Sequence, residues 1–426
     1  MSRPLPLGRP LPLALYAAAS GLLAPLAPML LRGRARRGKE DPARIGERLG
    51  RAGRSRPEGL LVWLHGVSVG ETQSLLPLID ALRARRPELN LLVTSGTLTS
   101  AELLARRLPE GVIHQFAPVD APGAVARFLD HWRPDLGILV ESELWPNLIL
   151  AAKARGVRLA LVSARMTLES ARGWARAPAS ARALVGAFDL ILPQDAATED
   201  RLAGLGARVG GRLNLKLVGA PLPCDAAELA RLEGAASGRK VVVAASTHPG
   251  EEALVASAAR EAGAGLVVVV PRHPDRGPAV AAELAWLGFT VARRAASETI
   301  LPGTSAYVAD TLGELGLFLR LADVVVMGGA FAEGIGGHNP LEAARLGKAM
   351  ITGPHAFNAR EVYDAMFAEV AALEAGDGAA LARHVRGLLE NPTIARRIGE
   401  AALDFAGREG AALEAALDAL QPLIAA

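Results

Sequence analysis

Cysteine and aromatic side chains are scarce in this chain of 426 residues. Its single cysteine, Cys224, cannot form an internal disulfide or a cysteine-based metal site, and a reducing compartment is the simplest interpretation. Aromatic residues make up 4% of the chain, whereas 50% of it is hydrophobic and 21% is charged. The composition predicts a large core of Ala, Leu and Val and excludes disordered, collagen-like and disulfide-rich secreted proteins.

Charged residues are unevenly distributed, although the formal net charge is only +3. Residues 32–56 carry ten Lys or Arg against three acidic residues, whereas residues 57–426 carry a net charge of −6. A mildly acidic body argues against a general nucleic-acid-binding protein. The sequence also lacks a D-x-D pair, so a diphosphate-bound metal ion is not expected.

An uncharged stretch of 22 residues, 10–31, lies near the N-terminus and is followed at once by a basic cluster at 32–39. With a rise of about 1.5 Å per residue, such a helix would cross a hydrocarbon core of about 30 Å. Because three prolines interrupt it, a helix lying in the membrane interface is one alternative. A cleaved signal peptide is a second, which is disfavoured because the densest positive charge follows the apolar run. As a span or as an interfacial helix, residues 1–35 are predicted to be a membrane anchor, with the rest of the chain cytoplasmic.

From residue 60 onward, short apolar runs alternate with stretches of helical periodicity. This pattern is typical of parallel strands that are buried on both faces by helices. The first series of runs comprises 60–64, 90–94, 136–140, 157–162 and 189–193, and the second comprises 241–245, 266–270, 305–309, 323–327 and 349–353. The sequence therefore predicts an α/β fold with two parallel sheets.

Between the two series, residues 219–238 are rich in small and turn-forming residues. A domain boundary there gives an N-terminal domain at 36–220 and a C-terminal domain at 221–426, which ends in closing helices from about 378. Tandem α/β domains usually bind ligands at the carboxyl ends of their strands, in the cleft between them. The residues that follow each apolar run are therefore the candidates for a functional site.

Two acidic motifs follow strands of the first series. Glu71, in HGVSVGET, is either a carboxylate that accepts a proton from a hydroxyl or a first-turn acid favoured by the helix dipole. Glu141 and Glu143 open ESELWPNL; unless they form a solvated loop, so close a pair should raise the pKa of at least one. Arg165, after the next strand, is suited either to a phosphate or carboxylate clamp or to a surface helix.

The predicted strand ends of the second series carry hydroxyl and basic residues. STHPGEE supplies Ser246, Thr247 and Glu251, and PRHPDR supplies Arg272 and His273. Basic side chains that converge at one sheet edge predict an anionic ligand in this half of the chain.

A glycine-rich stretch, MGGAFAEGIGGHNPLE, follows another strand of the second series. Gly336, Gly337, His338 and Asn339 precede a proline suited to a helix start, where free backbone N–H groups would cradle a phosphate. Glu342 follows within the helix and is a candidate acceptor for ribose hydroxyls. The spacing matches neither the dinucleotide fingerprint nor the P-loop.

In this order, the motifs resemble the 3-deoxy-D-manno-octulosonic acid (Kdo) transferases that act on lipid A precursors. The similarity covers nearly the whole chain, and ESELWPN combined with GGHNPLE carries it most specifically. The other matching segments are IGERLG, HGVSVGE, ARMT, NLK, STHPGEE, PRHPDR and DTLGEL.

The resemblance implies a glycosyltransferase fold of the GT-B type, with two Rossmann-like domains that face a cleft. Its N-terminal domain would face a membrane-embedded acceptor, and its C-terminal domain would bind CMP-Kdo. Glu71 matches the family's general base. The ESELWPN acids match a second essential position, with either Glu141 or Glu143 as the stricter match.

The resemblance also implies substrates and location. Implied donor-binding positions are Lys216, Gly313 and Glu314, in addition to Arg165 and the second-series residues named above. CMP leaves with one phosphate, which Arg, Lys and helix N-termini can neutralise without a metal ion or other cofactor. The expected reaction is inverting transfer of Kdo from CMP-Kdo to a lipid A precursor (lipid IVA) at the bacterial inner membrane, during lipopolysaccharide synthesis. Two alternatives stay open: a GT-B enzyme that uses a UDP-sugar on another membrane lipid, and a non-catalytic, membrane-associated nucleotide-binding protein.

Overall fold

The computed structural model describes residues 9–424, which divide into two compact units. The first unit runs to Val218 and includes the chain from Glu409 onward, and the second is Gly219–Arg408. The predicted C-terminal domain ran to the end of the chain, whereas the structure returns the last residues to the first unit. The physical reason is an apolar face on the last helix that packs into the first unit's core; its residues include Leu413, Ala416, Leu417, Leu420 and Ile424.

The first unit contains one sheet of six parallel strands. Its strands are β1 Leu61–His65, β2 Asn90–Ser95, β3 Ile113–Phe116, β4 Leu136–Val140, β5 Arg158–Ala164 and β6 Leu190–Pro193. The order across the sheet is β3-β2-β1-β4-β5-β6, the arrangement of a Rossmann fold. Alternate residues of β1 enter different core clusters: Trp63 packs on one face and Leu64 on the other, so both faces of the sheet are buried.

The helices of the first unit include several that cover the two faces of this sheet. They are α1 Leu11–Leu23, α2 Ala27–Ala35, α3 Ile45–Arg48, α4 Val69–Arg85, α5 Leu98–Arg107, α6 Pro122–Trp132, α7 Pro146–Ala154, α8 Leu168–Ala175, α9 Pro178–Val185 and α10 Ala196–Gly204, with 3-10 turns at Ala24–Leu26, Pro42–Arg44 and Leu215–Leu217. The helical segment Leu11–Ala35 is long and apolar enough to cross a membrane. Of its most apolar stretch of 18 residues, 6% is buried.

The second unit contains a parallel sheet of seven strands. They are β7 Val241–Thr247, β8 Leu266–Pro271, β9 Val291–Arg293, β10 Ala306–Val308, β11 Val324–Met327, β12 Met350–Thr352 and β13 Leu373–Glu374, in the order β13-β12-β11-β7-β8-β10-β9. Its helices are α11 Ala226–Ala236, α12 Glu251–Glu261, α13 Gly277–Trp286, α14 Leu315–Leu321, α15 Leu341–Ala344, α16 Arg360–Ala368, α17 Gly378–Glu390 and α18 Pro392–Ile424, with 3-10 turns at Pro274–Arg276 and Phe357–Ala359.

The predicted α/β class with two parallel sheets is confirmed, and each predicted apolar run contains a strand. Three strands were not predicted: β3, β9 and β13. They lie at the outer positions of the two sheets and are two to four residues long. Two of the four residues of β3 are polar, His114 and Gln115, so it lacks the continuous apolar run on which the prediction depended.

Candidate active site

The first unit gathers its functional candidates where the strand order reverses. Strands β1 and β4 are neighbours, but the helices that follow them, α4 and α7, pack on opposite faces of the sheet. Open α/β sheets bind ligands at such a position. Glu71 lies just beyond β1, and Glu141 and Glu143 follow β4 directly. The structure therefore brings the three predicted acids to one edge of the sheet.

Glu71 occupies the third position of helix α4 and forms a capping box with Ser68. Its Oε2 accepts a hydrogen bond from the Val67 N–H at 2.6 Å, and its Oε1 accepts one from the Ser68 hydroxyl at 2.9 Å. Its own N–H donates back to Ser68 Oγ at 3.3 Å. The carboxylate thus stabilises the helix start, and the same contacts fix its orientation.

Glu141 is buried and adopts a left-handed backbone conformation (φ 55°), which is uncommon for a residue with a side chain. The Arg165 N–H donates to the Glu141 carbonyl at 3.2 Å, which closes this turn. Glu141 Oε1 lies 2.8 Å from Lys216 Nζ. Lys216 and Arg165, predicted as donor-binding residues, therefore both lie in the first unit beside Glu141.

Glu143 has a carboxyl group whose pKa is raised. Burial, and then the charges of Glu71 and Glu141, raise its pKa to about 7, although a hydrogen bond donated by the Trp145 indole opposes the rise. The sequence-based expectation that close acids raise a pKa is met at this residue. A carboxyl group that titrates near neutrality suits proton exchange with a hydroxyl.

His65, the last residue of β1, lies beside Glu143 and was not predicted as a site residue. Its Nε2 lies 3.9 Å from Glu143 Oε2, and burial lowers its pKa to about 3, so the ring is neutral at physiological pH. Its Nδ1 lies 2.8 Å from Thr94 Oγ1, which accepts a hydrogen bond from the Trp63 indole.

The second unit also gathers its candidates where the strand order reverses, between β7 and β11. Ser246, the penultimate residue of β7, has a left-handed conformation (φ 58°), and Gly328 and Gly329 follow β11. Arg272 and His273 follow the neighbouring β8 and are both exposed. An exposed arginine and histidine beside glycine-rich turns form an edge that can bind an anion.

Glu251 does not offer a free carboxylate to a ligand. It is 1% exposed, and its two oxygens accept three backbone N–H bonds, from His248 at 2.9 Å, Gly329 at 2.7 Å and Phe331 at 2.8 Å. Its neighbour Thr247 is fully buried and donates to Glu252 Oε1 at 3.1 Å. Both predicted residues therefore hold the loops in place.

A pair of histidines lies at the same edge, and one of them, His248, was missed by the sequence-based prediction. His248 Nε2 and His338 Nε2 are 2.9 Å apart, and the rings stack with centroids 5.1 Å apart. Burial, followed by the charges of His248 and Arg272, lowers the pKa of His338 to about 4. The signal for His248 was available, because it follows β7 directly within STHPGEE.

The predicted glycine cradle is present, but the helix that follows it is short. Gly336 and Gly337 have φ values of 97° and 78°, and a Cβ on Gly336 would lie 2.4 Å from an Asn358 side-chain nitrogen. Asn339 Oδ1 accepts from the Leu341 N–H at 3.1 Å and so caps α15, which has four residues. Burial raises the pKa of Glu342 within that helix.

Gly313 and Glu314 lie before α14, away from the glycine cradle in sequence. Gly313 has a φ of 83°. Glu314 pairs with Arg294 through both oxygens, at 2.6 Å and 3.0 Å, and this hydrogen-bonded pair holds its pKa below the ordinary value. Glu228 and Thr311 also contact this pair. Glu314 therefore belongs to an ion-pair network.

Comparison with known proteins identifies the family. Residues 43–218 match the family model described as 3-deoxy-D-manno-octulosonic-acid transferase (kdotransferase). The 3-deoxy-D-manno-octulosonic acid transferase of Bordetella pertussis is 37% identical over 427 residues, which cover 95% of this chain and 98% of that protein. A probable mitochondrial 3-deoxy-D-manno-octulosonic acid transferase of Arabidopsis thaliana is 37% identical and covers 80% of this chain and 79% of its own.

The fold has a counterpart among crystal structures. That of a glycosyltransferase from Rickettsia africae ESF-5 aligns with a TM-score of 0.55 over 87% of this chain and 100% of its own, at 10% identity, which bears on the fold alone. Together with the two Rossmann-like sheets, this likeness assigns the GT-B type. The chain belongs to the 3-deoxy-D-manno-octulosonic acid (Kdo) transferase family of glycosyltransferases.

Proposed function

We propose that this glycosyltransferase moves Kdo from CMP-Kdo to a lipid A precursor, lipid IVA, with inversion at the anomeric carbon. The observation that carries the proposal is the cluster of Glu71, Glu141 and Glu143 at the carboxyl ends of β1 and β4, in which one carboxyl group titrates near neutrality. Such a cluster suits the removal of a proton from an acceptor hydroxyl.

In the proposed reaction, Glu71 accepts the proton of the acceptor hydroxyl as its oxygen attacks the anomeric carbon of Kdo. The bond between that carbon and the phosphate oxygen of CMP breaks, and its electron pair leaves with CMP. The capping box supports this role because it holds the carboxylate in one orientation, and each oxygen keeps further acceptor capacity. The pKa of Glu143, which burial and the charge of Glu71 raise to about 7, suits a second carboxyl group that exchanges protons beside Glu71.

The second unit supplies the groups proposed to bind CMP-Kdo. Arg272 and His273 are exposed after β8, and Gly336 and Gly337 adopt the positive φ values that are found in anion-binding turns. These groups can neutralise the single phosphate of CMP. We therefore propose that no metal ion or other cofactor takes part.

The proposed location is the bacterial inner membrane, with both α/β units on the cytoplasmic side. The apolar segment Leu11–Ala35 supports membrane association, and the basic residues at 32–39 support a cytoplasmic position by the positive-inside rule.

The test of the catalytic assignment is Glu71→Gln, measured for transfer and for CMP binding. Gln can keep the capping box, so the variant should fold, retain CMP protection against thermal unfolding and lose transfer by about 100- to 10,000-fold. Glu102→Gln, on the exposed side of α5, is the matched control for the loss of one carboxylate. Near-normal turnover by Glu71→Gln would refute the assignment.

A second measurement separates the proposed donor from the alternative. Ligands that bind the folded state raise the unfolding temperature, so CMP and UDP can be compared at equal concentration. Protection by CMP, lost in Arg272→Ala, is expected. Protection by UDP alone would favour an enzyme that uses a UDP-sugar, and protection by CMP without transfer would favour a nucleotide-binding protein.

A further inference from the structure

The N-terminal helical segment Leu11–Ala35 has two sides that meet different surroundings. Leu13 and Leu31 are buried within the first unit, to which the segment belongs, and are 3% and 4% exposed. Leu22 and Met29, in contrast, are 82% and 63% exposed. The segment therefore packs along the α/β unit with one side and leaves the other uncovered.

The packed side is held by polar contacts, which we call the latch (Tyr16, Ser20 and their partners). Tyr16 donates from its hydroxyl to Asp120 Oδ2 at 3.0 Å, and Ser20 Oγ accepts from Asn147 Nδ2 at 2.9 Å. Just before the helix, Arg9 donates to Asn147 Oδ1 at 2.7 Å. Polar side chains at positions 9, 16 and 20 thus connect α1 and the chain just before it to Asp120 and Asn147 by hydrogen bonds.

The partners of the latch are themselves fixed at the start of α7. Asp120 and Asn147 are both buried, and the backbone N–H groups of Asn147 and Leu148 donate to the Asp120 carboxylate at 3.1 Å and 2.8 Å. The latch therefore connects α1 to a rigid part of the unit, two residues beyond Trp145.

The uncovered side forms a continuous apolar stripe. Most of its residues recur three, four or seven apart, and 22/23 and 29/30 are adjacent pairs, which places them on one broad face. They are Leu11, Leu15, Leu22, Leu23, Leu26, Met29 and Leu30, each 47% to 82% exposed.

A membrane-spanning orientation conflicts with the latch. If α1 crossed a bilayer as it is packed, Asp120 and Asn147, which it contacts along its middle, would enter the hydrocarbon region. A carboxylate at that depth is strongly disfavoured, and so are the loop carbonyl and N–H groups around it.

The charged residues next to the stripe indicate the kind of surface that covers it. Residues 9–39 contain no acidic side chain, and the basic residues after the stripe are exposed: Arg32, Arg36, Arg37 and Lys39. An apolar helix that exposes one side along its length and ends in exposed basic residues matches an anionic lipid surface.

We propose that α1 and α2 lie in the plane of an anionic bilayer as a monotopic insertion surface, with the stripe at the headgroup–acyl boundary and the latch facing the first unit. This inference rests on the proposed membrane association and adds its orientation. It also gives the latch a role, because α7 begins next to Trp145, whose indole donates to Glu143. The acid cluster is thereby held at a fixed distance from the lipid surface.

The test is the depth of nitroxide labels at Leu11, Leu15, Leu22 and Met29, each replaced by Cys in a Cys224→Ser background. Full-length protein is bound to vesicles of phosphatidylcholine and phosphatidylglycerol, and depth is read from relaxation by oxygen and by a nickel complex. An in-plane helix gives four similar depths. A span changes depth by about 1.5 Å per residue, so that Leu11 and Met29 would lie about 27 Å apart along the membrane normal.

The outcomes separate the orientation from the association. Similar depths support the inference, and a depth that changes steadily with residue number overturns it. Absence of vesicle binding would instead refute the proposed membrane association. Self-association in lipid-free sedimentation that Leu22→Ser abolishes, with vesicle binding unchanged, would assign the stripe to a second copy and also overturn the inference.

Charge variants test the choice of lipid. Arg36→Gln with Arg37→Gln should weaken binding to anionic vesicles about fivefold for each charge removed. Arg106→Gln with Arg107→Gln, an adjacent exposed pair on α5, is the matched control and should leave binding unchanged. Equal losses from both pairs would contradict a lipid contact at α2.

Discussion

The raised pKa of Glu143 makes a thermodynamic prediction that does not depend on the substrate. Its side chain is 14% exposed, and burial together with Glu71 and Glu141 raises the pKa from 4.5 to about 7. The folded protein therefore favours the protonated form more than the unfolded chain does. The stability that this group contributes is present below pH 4.5 and is lost as the pH rises through about 7.

The magnitude follows from that displacement of the pKa. A tenfold change in an acid equilibrium corresponds to about 1.4 kcal/mol, so ionised Glu143 would destabilise the fold by up to about 3 kcal/mol. Because water still reaches part of the side chain, we expect about 1–2 kcal/mol. Glu143→Gln removes the ionisation and keeps an oxygen that can accept the Trp145 indole N–H.

The assay is urea unfolding of wild type and Glu143→Gln at pH 5 and pH 8.5. The variant should be more stable by about 1–2 kcal/mol at the higher pH and should differ little at the lower one. Glu102→Gln, with an exposed side chain, controls for the loss of one negative charge and should show no such dependence. A variant that is destabilised at pH 8.5, or affected equally at both pH values, would refute the reasoning.

Further predictions concern residues whose contacts stabilise the folded structure. Lys216→Met removes the cation that lies 2.8 Å from buried Glu141 and should lower the free energy of unfolding by about 1–3 kcal/mol in urea titrations; an unchanged midpoint would contradict the pairing. Glu251→Ala leaves three backbone N–H groups without their acceptor, so we expect lower thermal stability and weaker protection by CMP, and retained protection would argue against its loop-holding role. Gly277→Ala would place a Cβ 1.9 Å from the Asp310 carboxylate oxygen Oδ2 and should lower the free energy of unfolding by about 1–3 kcal/mol. Gly407→Ala, whose Cβ would have no atom within 4 Å, should be neutral or stabilising. Equal effects of the two substitutions would contradict the close packing at Gly277.

The sequence was most informative where a pattern is local. Strands such as β1 and β4 are continuous apolar runs, so their positions and the acids that follow them could be predicted together. Glu71 illustrates the same point, because the Ser-x-x-Glu spacing that forms its capping box is visible in the sequence. Short outer strands such as β13, with two residues, carry too little pattern to be predicted.

Contacts between distant residues could not be predicted from one sequence. His248 and His338 meet across 90 positions, and only the parallel order of β7 and β11 brings them together. The pairing of Glu314 with Arg294 likewise depends on how their loops are placed, so a residue expected to bind the donor lies in an ion-pair network. The latch on Asn147 also required the structure, because Ser20 is 127 residues away.

Transfer of Kdo by this chain is tested most directly by the mass of the lipid product. The purified full-length chain is incubated with CMP-Kdo and lipid IVA in detergent, and the products are analysed by mass spectrometry. We expect lipid IVA that carries added Kdo, released CMP, and neither product with Glu71→Gln. Unmodified lipid IVA, under conditions in which CMP protects the protein from unfolding, would contradict this expectation.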